Sequence, residues 1–363
     1  MSRPAILWQA ASPASSSRRD VFTGTAGVPP ASSSRRDERV TCQLCAHRCT
    51  LSPGQRGPCF LRRNEDGRLV TDAYGELRVA VRSAVERKPL FHFLPGATTW
   101  TLGTAGCNLR CAYCQNAALS QPGSSASPSS LPSDPEAVVA DARNADADAV
   151  AFSFSEPSVA YEWVRDVMAA SREAGLRVIW VTNGFFTPEL LDCLARDGAP
   201  DAANVDLKAA DDDTWRRVMG ARPEPVLEGL SGLRELGTWV EVTTVLIPGM
   251  NDGVADRSLM AEWILERLGE EAPWHLWRFH PDFRLTDRGP LSTRALEGAA
   301  TDARAAGLRH VYMGPAGGVG DQVTRCVGCA EVLIARRGYD VLEEKIDDGR
   351  CDRCGVEVAG VWA

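Results

Sequence analysis

The strongest constraint on the fold is a regular alternation of two kinds of segment that begins at about residue 98. Short apolar runs rich in β-forming residues are separated by stretches in which apolar residues recur with the period of a helix. The runs read TTWTLGTA, AVAFSF, RVIWVT, AANVDL, WVEVTTVLI, WHLWRF and LRHVYM. Strands that alternate with helices predict a parallel sheet with helices packed on it, which is an α/β fold.

Unusual polar motifs follow the predicted strands, one strand after another. In chain order they are the cysteine-containing stretch GTAGCNLRCAYCQN, SEP at 155–157, TNG at 182–184, DLK at 206–208, PGMND at 248–252 and FHPD at 279–282. In parallel (β/α) barrels the active site forms from the loops that follow the carboxyl ends of the strands. We therefore predict one site at that end of an open barrel.

Composition and charge narrow the class of protein. The chain has 363 residues, a formal net charge of -8 and 44% hydrophobic residues. A broad nucleic-acid-binding surface would be basic, so the acidic balance argues against one. The chain lacks the run of about 18 or more apolar residues that a membrane span needs. The arginine pairs in SSSRRD are not followed by the apolar segment of an export signal. We expect a cytoplasmic protein.

Eleven of the twelve cysteines fall into three clusters. In a large cytosolic chain, clustered cysteines indicate metal binding more often than disulfides. The middle cluster is Cys107, Cys111 and Cys114. A four-iron cluster normally takes four thiolates, so three would leave one iron open to bind another molecule. A structural zinc would need a fourth ligand, and none lies nearby in the sequence. The remaining cysteine, Cys193, lies in a predicted amphipathic helix and is expected to be buried.

The two flanking clusters each contain four cysteines. The C-terminal four form two CxxC pairs, the pattern of a tetrahedral structural zinc, with an auxiliary iron–sulfur cluster as the alternative. They are Cys326, Cys329, Cys351 and Cys354. The N-terminal four also predict a metal site, but their spacing does not choose between zinc and a second cluster. They are Cys42, Cys45, Cys49 and Cys59. With four thiols available, His47 is expected to lie near the metal or at the surface rather than to bind it.

Motifs along the chain resemble those of one family. They are CQLCAHRCTLSPGQRGPCFLRRNEDGRL, ERKPLFHFLPG, GTAGCNLRCAYCQN, EVTTVLIPGMND, PWHLWRFHPDF and the C-terminal CVGC…CDRCG. From about residue 40 onward the chain resembles the AmmeMemoRadiSam-system radical S-adenosylmethionine (SAM) enzymes, which are relatives of pyruvate formate-lyase activating enzymes. The resemblance implies a partial (β/α)6-type barrel, a [4Fe-4S] cluster and SAM.

The resemblance also implies an activity. Reductive cleavage of SAM would give a 5'-deoxyadenosyl radical that abstracts hydrogen from a substrate, which is a protein or peptide in glycyl-radical activating enzymes. Two alternatives stay open: radical SAM modification of a small molecule or RNA, and a metal-binding electron-transfer or scaffold protein without SAM chemistry. The partners implied are an electron donor such as flavodoxin or ferredoxin, and AMMECR1-like and Memo-like proteins.

Five further residues take roles from the resemblance. Glu156 of SEP should accept a hydrogen bond from the amino group of SAM. Asn183 and Asp206 should line the methionine and ribose region, and His280 should lie near the ribose or adenine. Lys208 of DLK should help to position SAM or the incoming peptide. Only three of the 40 basic residues are lysines, which supports a specific need for an ammonium group at this position.

Four segments are expected. Residues 1–39 are rich in Ser, Ala, Pro and Arg, contain PASSSRRD twice, and should form a disordered tail because they bury too little apolar surface. Residues 40–97 should form an N-terminal cysteine-rich segment, and residues 98–320 the radical SAM partial barrel. Residues 321–363 should form a C-terminal zinc-ribbon-like module.

Overall fold

The computed structural model describes residues 2–11, 38–121, 131, 133–314 and 322–363. The N-terminal part contains two small sheets with strand orders β1-β6-β5 and β2-β3-β4. Their strands are β1 (Arg3–Pro4), β2 (Trp8–Ala10), β3 (Val40–Cys42), β4 (Thr50–Leu51), β5 (Arg62–Glu65) and β6 (Arg68–Thr71).

The first residues of the chain correct one prediction. Residues 2–11 are not a disordered tail, because β1 pairs antiparallel with β6 and β2 pairs antiparallel with β3. Ala5 and Leu7 between these strands are buried. The low-complexity composition of residues 1–39, taken as a whole, concealed the short apolar stretch AILW, which can be buried against the neighbouring sheets. The rest of the predicted tail, residues 12–37, lies outside the described residues.

The centre of the molecule is an eight-stranded sheet whose spatial order follows the chain, from β7 at one edge to β14 at the other. The strands are β7 (Leu77–Ala84), β8 (Thr98–Thr104), β9 (Ala149–Phe152), β10 (Arg177–Thr182), β11 (Ala202–Asp206), β12 (Trp239–Leu246), β13 (Trp274–Arg278) and β14 (Val311–Met313). Strands β8 to β14 are parallel, and β7 pairs antiparallel with β8. The predicted α/β fold is confirmed, and the sheet takes one additional strand from before residue 98.

Helices connect the parallel strands. They are α1 (Ala117–Ser120), α2 (Pro135–Asn144), α3 (Tyr161–Glu173), α4 (Pro188–Asp197), α5 (Asp212–Thr214), α6 (Glu224–Glu235), α7 (Val254–Leu268) and α8 (Thr293–Ala305). Helix α4 begins where the Thr187 side chain accepts a hydrogen bond from Leu190 N, with Pro188 in the first turn. Cys193 on this helix is buried in the main core, as predicted. None of the described helices is both long and apolar enough to cross a bilayer.

A short segment, residues 88–94, closes the end of the barrel at which the parallel strands begin. The backbone N–H groups of Phe91 and His92 donate to the buried carboxylate of Glu241 on β12, at 2.8–2.9 Å. Asn204 Nδ2 on β11 donates to the carbonyl oxygen of Pro89 at 2.8 Å. We call this segment the floor segment. With this end closed, the opposite end, where the strands finish, is left for the site.

The C-terminal module packs against the floor segment. Its strands are β15 (Thr324–Arg325), β16 (Val332–Arg337), β17 (Asp340–Glu344), β18 (Ile346–Asp347) and β19 (Arg350–Cys351). The buried Arg336 donates to the carbonyl oxygen of Phe91 at 2.6 Å and pairs with Glu86 at 3.4 Å. Val361 N donates to the carbonyl oxygen of His92 at 2.7 Å. The predicted boundary between barrel and module, at residues 320 and 321, lies outside the described residues.

Candidate active site

A cavity of about 270 Å³ lies at the carboxyl ends of the parallel strands. It brings together the eight barrel residues predicted from the sequence: Cys107, Cys111, Cys114, Glu156, Asn183, Asp206, Lys208 and His280. They come from the loops after β8, β9, β10 and β13 and from the end of β11. Loops that follow neighbouring parallel strands meet at one edge of the sheet, so residues far apart in sequence share a single cavity.

The loop after β8, residues 105–116, carries the three barrel cysteines, and we call it the cluster loop. Cys107 Sγ accepts from Leu109 N at 3.3 Å and lies 3.6 Å from Asn183 Nδ2. Cys114 Sγ lies 3.1 Å from Ser120 Oγ. Hydrogen-bond donors around sulfur stabilise the thiolate form that a metal requires and orient it. The loop therefore offers thiols whose positions are already fixed by neighbouring polar groups.

A short π-helix, Trp215–Met219, supports the cluster loop from outside. Arg110 N donates to Met219 O at 2.8 Å, and Ala112 N donates to Val218 O at 2.9 Å. These bonds give partners to two backbone donors of an irregular loop that lacks regular secondary structure. The loop is held by backbone pairing rather than by its own secondary structure.

Burial sets the protonation of the barrel thiols. It raises the pKa of Cys107 well above the ordinary value, and it raises the pKa of Cys111 to about 11. In the metal-free chain both side chains are therefore neutral thiols at pH 7. Because a metal binds thiolates, loading this site must release protons.

The three thiols do not surround a point that a single ion could occupy. Among the described residues, the group that brings at least three candidate ligand atoms within 4.8 Å of one another is the C-terminal quartet, and the barrel triplet is not part of such a group. Ligands of a multi-iron cluster bind different irons and are accordingly further apart than ligands of one ion. The wider spacing in the cluster loop suits a cluster.

The family follows from comparison with known proteins. The family description "Radical SAM superfamily" matches residues 101–259, which contain the cluster loop and strands β9 to β12. An uncharacterized protein of Methanocaldococcus jannaschii is 35% identical over 327 residues, 89% of this chain and 96% of that protein. The chain belongs to the radical SAM superfamily. As a radical SAM protein it is an enzyme, and its family implies a [4Fe-4S] cluster and SAM.

Three solved structures are similar to parts of this chain. A domain of pyruvate-formate lyase-activating enzyme from Bacteroides vulgatus is 18% identical with a TM-score of 0.40, and the match covers 46% of this chain and 99% of that one. A radical SAM methyltransferase from Sphaerobacter thermophilus is 21% identical with a TM-score of 0.48, covering 62% and 68%. Streptococcus suis SuiB bound to its precursor peptide SuiA is 14% identical with a TM-score of 0.48, covering 64% and 52%.

Two polar residues of this radical SAM barrel were missed by the sequence analysis and show that the cavity suits a polar ligand. Asn204 on β11 and Thr243 on β12 are buried and line the cavity. Asn204 Oδ1 and Thr243 Oγ1 have no hydrogen-bond partner among the described residues. A buried polar atom without a partner costs about 1–3 kcal/mol, so both atoms favour a ligand that bonds to them. The sequence could have identified Asn204, because it lies two residues before Asp206 on the same strand and so faces the same side of the sheet.

Glu156 is engaged with the protein itself. Its buried carboxylate accepts hydrogen bonds from Thr182 Oγ1 at 2.8 Å, from Asn183 N at 2.8 Å and from Ser158 N at 3.1 Å. Burial raises the pKa of this carboxyl group above its ordinary value, although these donors partly offset the effect. The bond to Asn183 N places the Asn183 side chain against Cys107. The contact of Glu156 with the amino group of SAM stays a prediction.

Lys208 forms the positive centre of the cavity. Its Nζ donates to Asp206 Oδ2 at 2.8 Å. Burial acts to lower the pKa of Lys208, but the neighbouring Asp206 carboxylate outweighs burial, and the pKa is raised well above the usual value. The ammonium group therefore stays protonated beside the cluster loop, where it can attract thiolates or a carboxylate of a ligand. His280 lies at the exposed rim of the same cavity.

The C-terminal quartet of this radical SAM enzyme forms a compact group. Cys326 Sγ lies 3.5 Å from Cys354 Sγ, and Cys329 Sγ lies 3.7 Å from Cys351 Sγ. Gly328 N donates to Cys326 Sγ at 3.3 Å. Burial acts to raise the pKa of Cys326, but backbone donors at Cys329 and Gly328 outweigh it and lower the pKa to about 7. The group can hold a metal ion.

Proposed function

We propose that this radical SAM enzyme abstracts a hydrogen atom from a protein or peptide. The observation that carries the proposal is the cavity itself, in which three thiols with no fourth cysteine among its lining residues face the polar groups expected to bind SAM. A [4Fe-4S] cluster held by Cys107, Cys111 and Cys114 would supply one electron to SAM, which would divide into methionine and a 5'-deoxyadenosyl radical able to take a hydrogen atom from the substrate.

The residues of the chain supply binding and orientation. Cys107, Cys111 and Cys114 would hold the cluster, and Lys208 would compensate its negative charge. Asn204 and Thr243, with their unpartnered oxygens, would bind polar groups of SAM. The buried walls would exclude water from the reaction, which protects a radical from side reactions.

Cavity size supports a substrate that enters from outside. Sites for drug-sized ligands are typically about 300–1,000 Å³, and this cavity of about 270 Å³ must hold both the cluster and SAM. Little room remains to enclose a separate small molecule. A segment of a polypeptide can instead be presented at the rim, where the exposed His280 lies.

One experiment tests the activity and the substrate class together. The anaerobically reconstituted enzyme is reduced with dithionite, and 5'-deoxyadenosine is measured with SAM alone and with size-separated fractions of cell extract. We expect the high-molecular-mass fraction to stimulate SAM cleavage and protease treatment to remove the stimulation. Removal by ribonuclease would favour an RNA substrate, and stimulation by the low-molecular-mass fraction a small molecule. No 5'-deoxyadenosine under any condition would overturn SAM chemistry.

We further propose that the C-terminal quartet holds a structural zinc. Four thiolates at a zinc–sulfur distance of about 2.3 Å in a tetrahedron lie about 3.8 Å apart. The two sulfur–sulfur distances in the quartet, 3.5 and 3.7 Å, are close to this value.

The partners proposed are an electron donor such as flavodoxin or ferredoxin, and AMMECR1-like and Memo-like proteins. The acidic balance supports a protein partner over a broad nucleic-acid surface.

A further inference from the structure

The N-terminal cysteines converge on a second cavity. Its lining includes all four of them, Cys42, Cys45, Cys49 and Cys59, together with His47, Arg62 and Asn108. Three of the thiols are buried, and Cys49 is half-buried. Four thiols facing one enclosed space are the arrangement of a metal centre rather than of separate core residues.

Spacing distinguishes this centre from a site for one ion. The four thiols do not form a group within 4.8 Å, whereas the C-terminal quartet does. The barrel triplet, which family membership assigns to a [4Fe-4S] cluster, shares the wider spacing. In the spacing of its thiols the N-terminal quartet therefore resembles the barrel triplet, but its cavity, about 20 Å³ against about 270 Å³ in the barrel, has no room for a further ligand such as SAM.

Arg62 provides an independent observation. Its side chain is 1% exposed, and its Nη2 donates to both carboxylate oxygens of the buried Glu162, at 2.7 and 2.6 Å. Its Nε and Nη1 have no hydrogen-bond partner among the described residues. The guanidinium group lines the same cavity as Cys42 and Cys59, and would be attracted to them as thiolates. Glu162 balances the charge of Arg62, but the two free buried donors still favour acceptor atoms, and a thiolate-bound iron–sulfur cluster offers acceptor sulfurs.

The second cavity lies against the cluster loop. His47 Nε2 lies 2.8 Å from the carbonyl oxygen of Asn108, the residue that follows Cys107. Gly106 has φ +86°, and a Cβ at this position would lie 2.4 Å from Leu61 Cδ1 and 3.0 Å from the Cys59 carbonyl oxygen. Only glycine permits this close approach. Asn108 lines the second cavity and Cys107 lines the first, so one turn of backbone separates the two sites.

We propose that Cys42, Cys45, Cys49 and Cys59 hold a second iron–sulfur cluster next to the barrel cluster, with the free Nε and Nη1 of Arg62 as hydrogen-bond donors to it. Four thiols are sufficient to bind the cluster, so we assign His47, whose Nε2 lies 2.8 Å from the Asn108 carbonyl oxygen, to holding the cluster loop. The proposal concerns a different set of cysteines from the SAM site. It can therefore hold even if the SAM chemistry does not.

Metal content of the intact protein tests the proposal. In anaerobically purified and reconstituted protein we expect about six to eight irons and one zinc per chain, since the barrel cluster accounts for about four irons. Cys45→Ala should remove the additional irons and leave zinc unchanged. The matched control is Cys193→Ala, which removes a buried thiol outside the clusters and should change neither metal. About four irons with two zincs, or about four irons with four extra titratable thiols, would overturn the proposal.

A magnetic measurement on the wild-type protein, with Cys107→Ala for comparison, tests whether the two clusters are neighbours. In the fully reduced wild-type protein, two paramagnetic clusters separated by one turn of backbone should broaden and rapidly relax each other's electron paramagnetic resonance signals. In Cys107→Ala the N-terminal cluster should give an isolated, slowly relaxing signal. Two independent, uncoupled signals in the wild-type protein would overturn the adjacency, and this result does not depend on whether the enzyme cleaves SAM.

Discussion

The two cysteine quartets that flank the barrel have the same number of ligands and different surroundings. The C-terminal four lie within 4.8 Å of one another, and Cys354 is exposed. The N-terminal four are spread around a cavity, three of them are buried, and a buried arginine faces them. Both quartets offer four thiols, so the type of ligand alone does not determine which metal each binds. The distances between the sulfur atoms and the charged groups around them differ between the two quartets, and these differences select the metal.

Their positions also differ. The N-terminal quartet touches the cluster loop through His47 and Asn108, at the end of the barrel where the strands finish. At the end where the strands begin, Arg336 and Val361 of the C-terminal module donate hydrogen bonds to the carbonyl oxygens of Phe91 and His92 in the floor segment. A metal at the first site can affect chemistry directly, whereas a metal at the second can act only through folding.

The largest expected effect comes from the barrel triplet. Cys107→Ala, Cys111→Ala or Cys114→Ala should each abolish SAM cleavage, because two thiolates cannot hold a cluster with one open iron in place. The assay is 5'-deoxyadenosine formation after dithionite reduction, with Cys193→Ala as the matched control. Near wild-type activity in any of the three variants would break the assignment of the active site.

The second effect separates folding from chemistry. The double variant Cys351→Ser, Cys354→Ser should lose one zinc per chain and become protease-sensitive near residue 325, because zinc binding is part of the folding free energy of a small module. Iron content should be unchanged, and part of the SAM cleavage should remain. Metal analysis and limited proteolysis check this. Loss of iron together with zinc would contradict the division between the two quartets.

The third effect concerns Glu156. Glu156→Gln keeps the shape of the side chain but removes its charge, so SAM should bind about 1.5–3 kcal/mol more weakly. Anaerobic calorimetry of the cluster-loaded protein measures this, with the exposed Glu235→Gln as control. Unchanged SAM affinity would restrict Glu156 to positioning Asn183 and Thr182.

The smallest expected effect is on the pH dependence of stability, and it comes from a comparison of two buried lysines. Lys208 is paired with Asp206, whereas the Nζ of Lys88 in the floor segment donates to Ser83 Oγ at 2.9 Å. Burial, with a smaller contribution from Arg87, lowers the pKa of Lys88 to about 7. A lowered lysine pKa destabilises the folded state fully below about pH 7, and the penalty falls as pH rises toward about 10.5, where the unfolded chain also loses its proton.

Lys88→Met should therefore stabilise the protein, and more at pH 6.5 than at pH 9.5. The measurement is the apparent unfolding temperature of the reconstituted protein at both pH values, compared with wild type. An equal shift at the two pH values would show that Lys88 titrates normally and that the floor segment tolerates its charge.

Much of the site could be predicted from local patterns. The period of apolar residues identifies each parallel strand, and the rule that loops at one sheet edge meet brings Cys107, Glu156, Lys208 and His280 into one cavity. These inferences need only the order of elements along the chain, which the sequence contains.

What the sequence could not predict depends on distances between distant segments. The three protein donors to Glu156, the unpartnered oxygen of Thr243 and the approach of Gly106 to Cys59 arise from packing of separate loops. The pairing of residues 3–10 with strands beyond residue 39 is of the same kind. The spacing of the N-terminal thiols also depends on packing, and so their sequence spacing left the metal undecided.

The floor segment has a consequence for the order of folding. Contacts that join residues far apart in sequence form late, because the intervening chain must first lose entropy. His92 Nδ1 meets the carbonyl oxygen of Ala359, 267 positions along the chain, at 2.7 Å. The lower end of the barrel therefore reaches its final packing only after the whole of β8 to β14 has formed. A metal bound by the C-terminal module would order it in advance, so that less conformational entropy is lost when the module docks on the floor segment. Metal binding would then control when this last step of folding occurs.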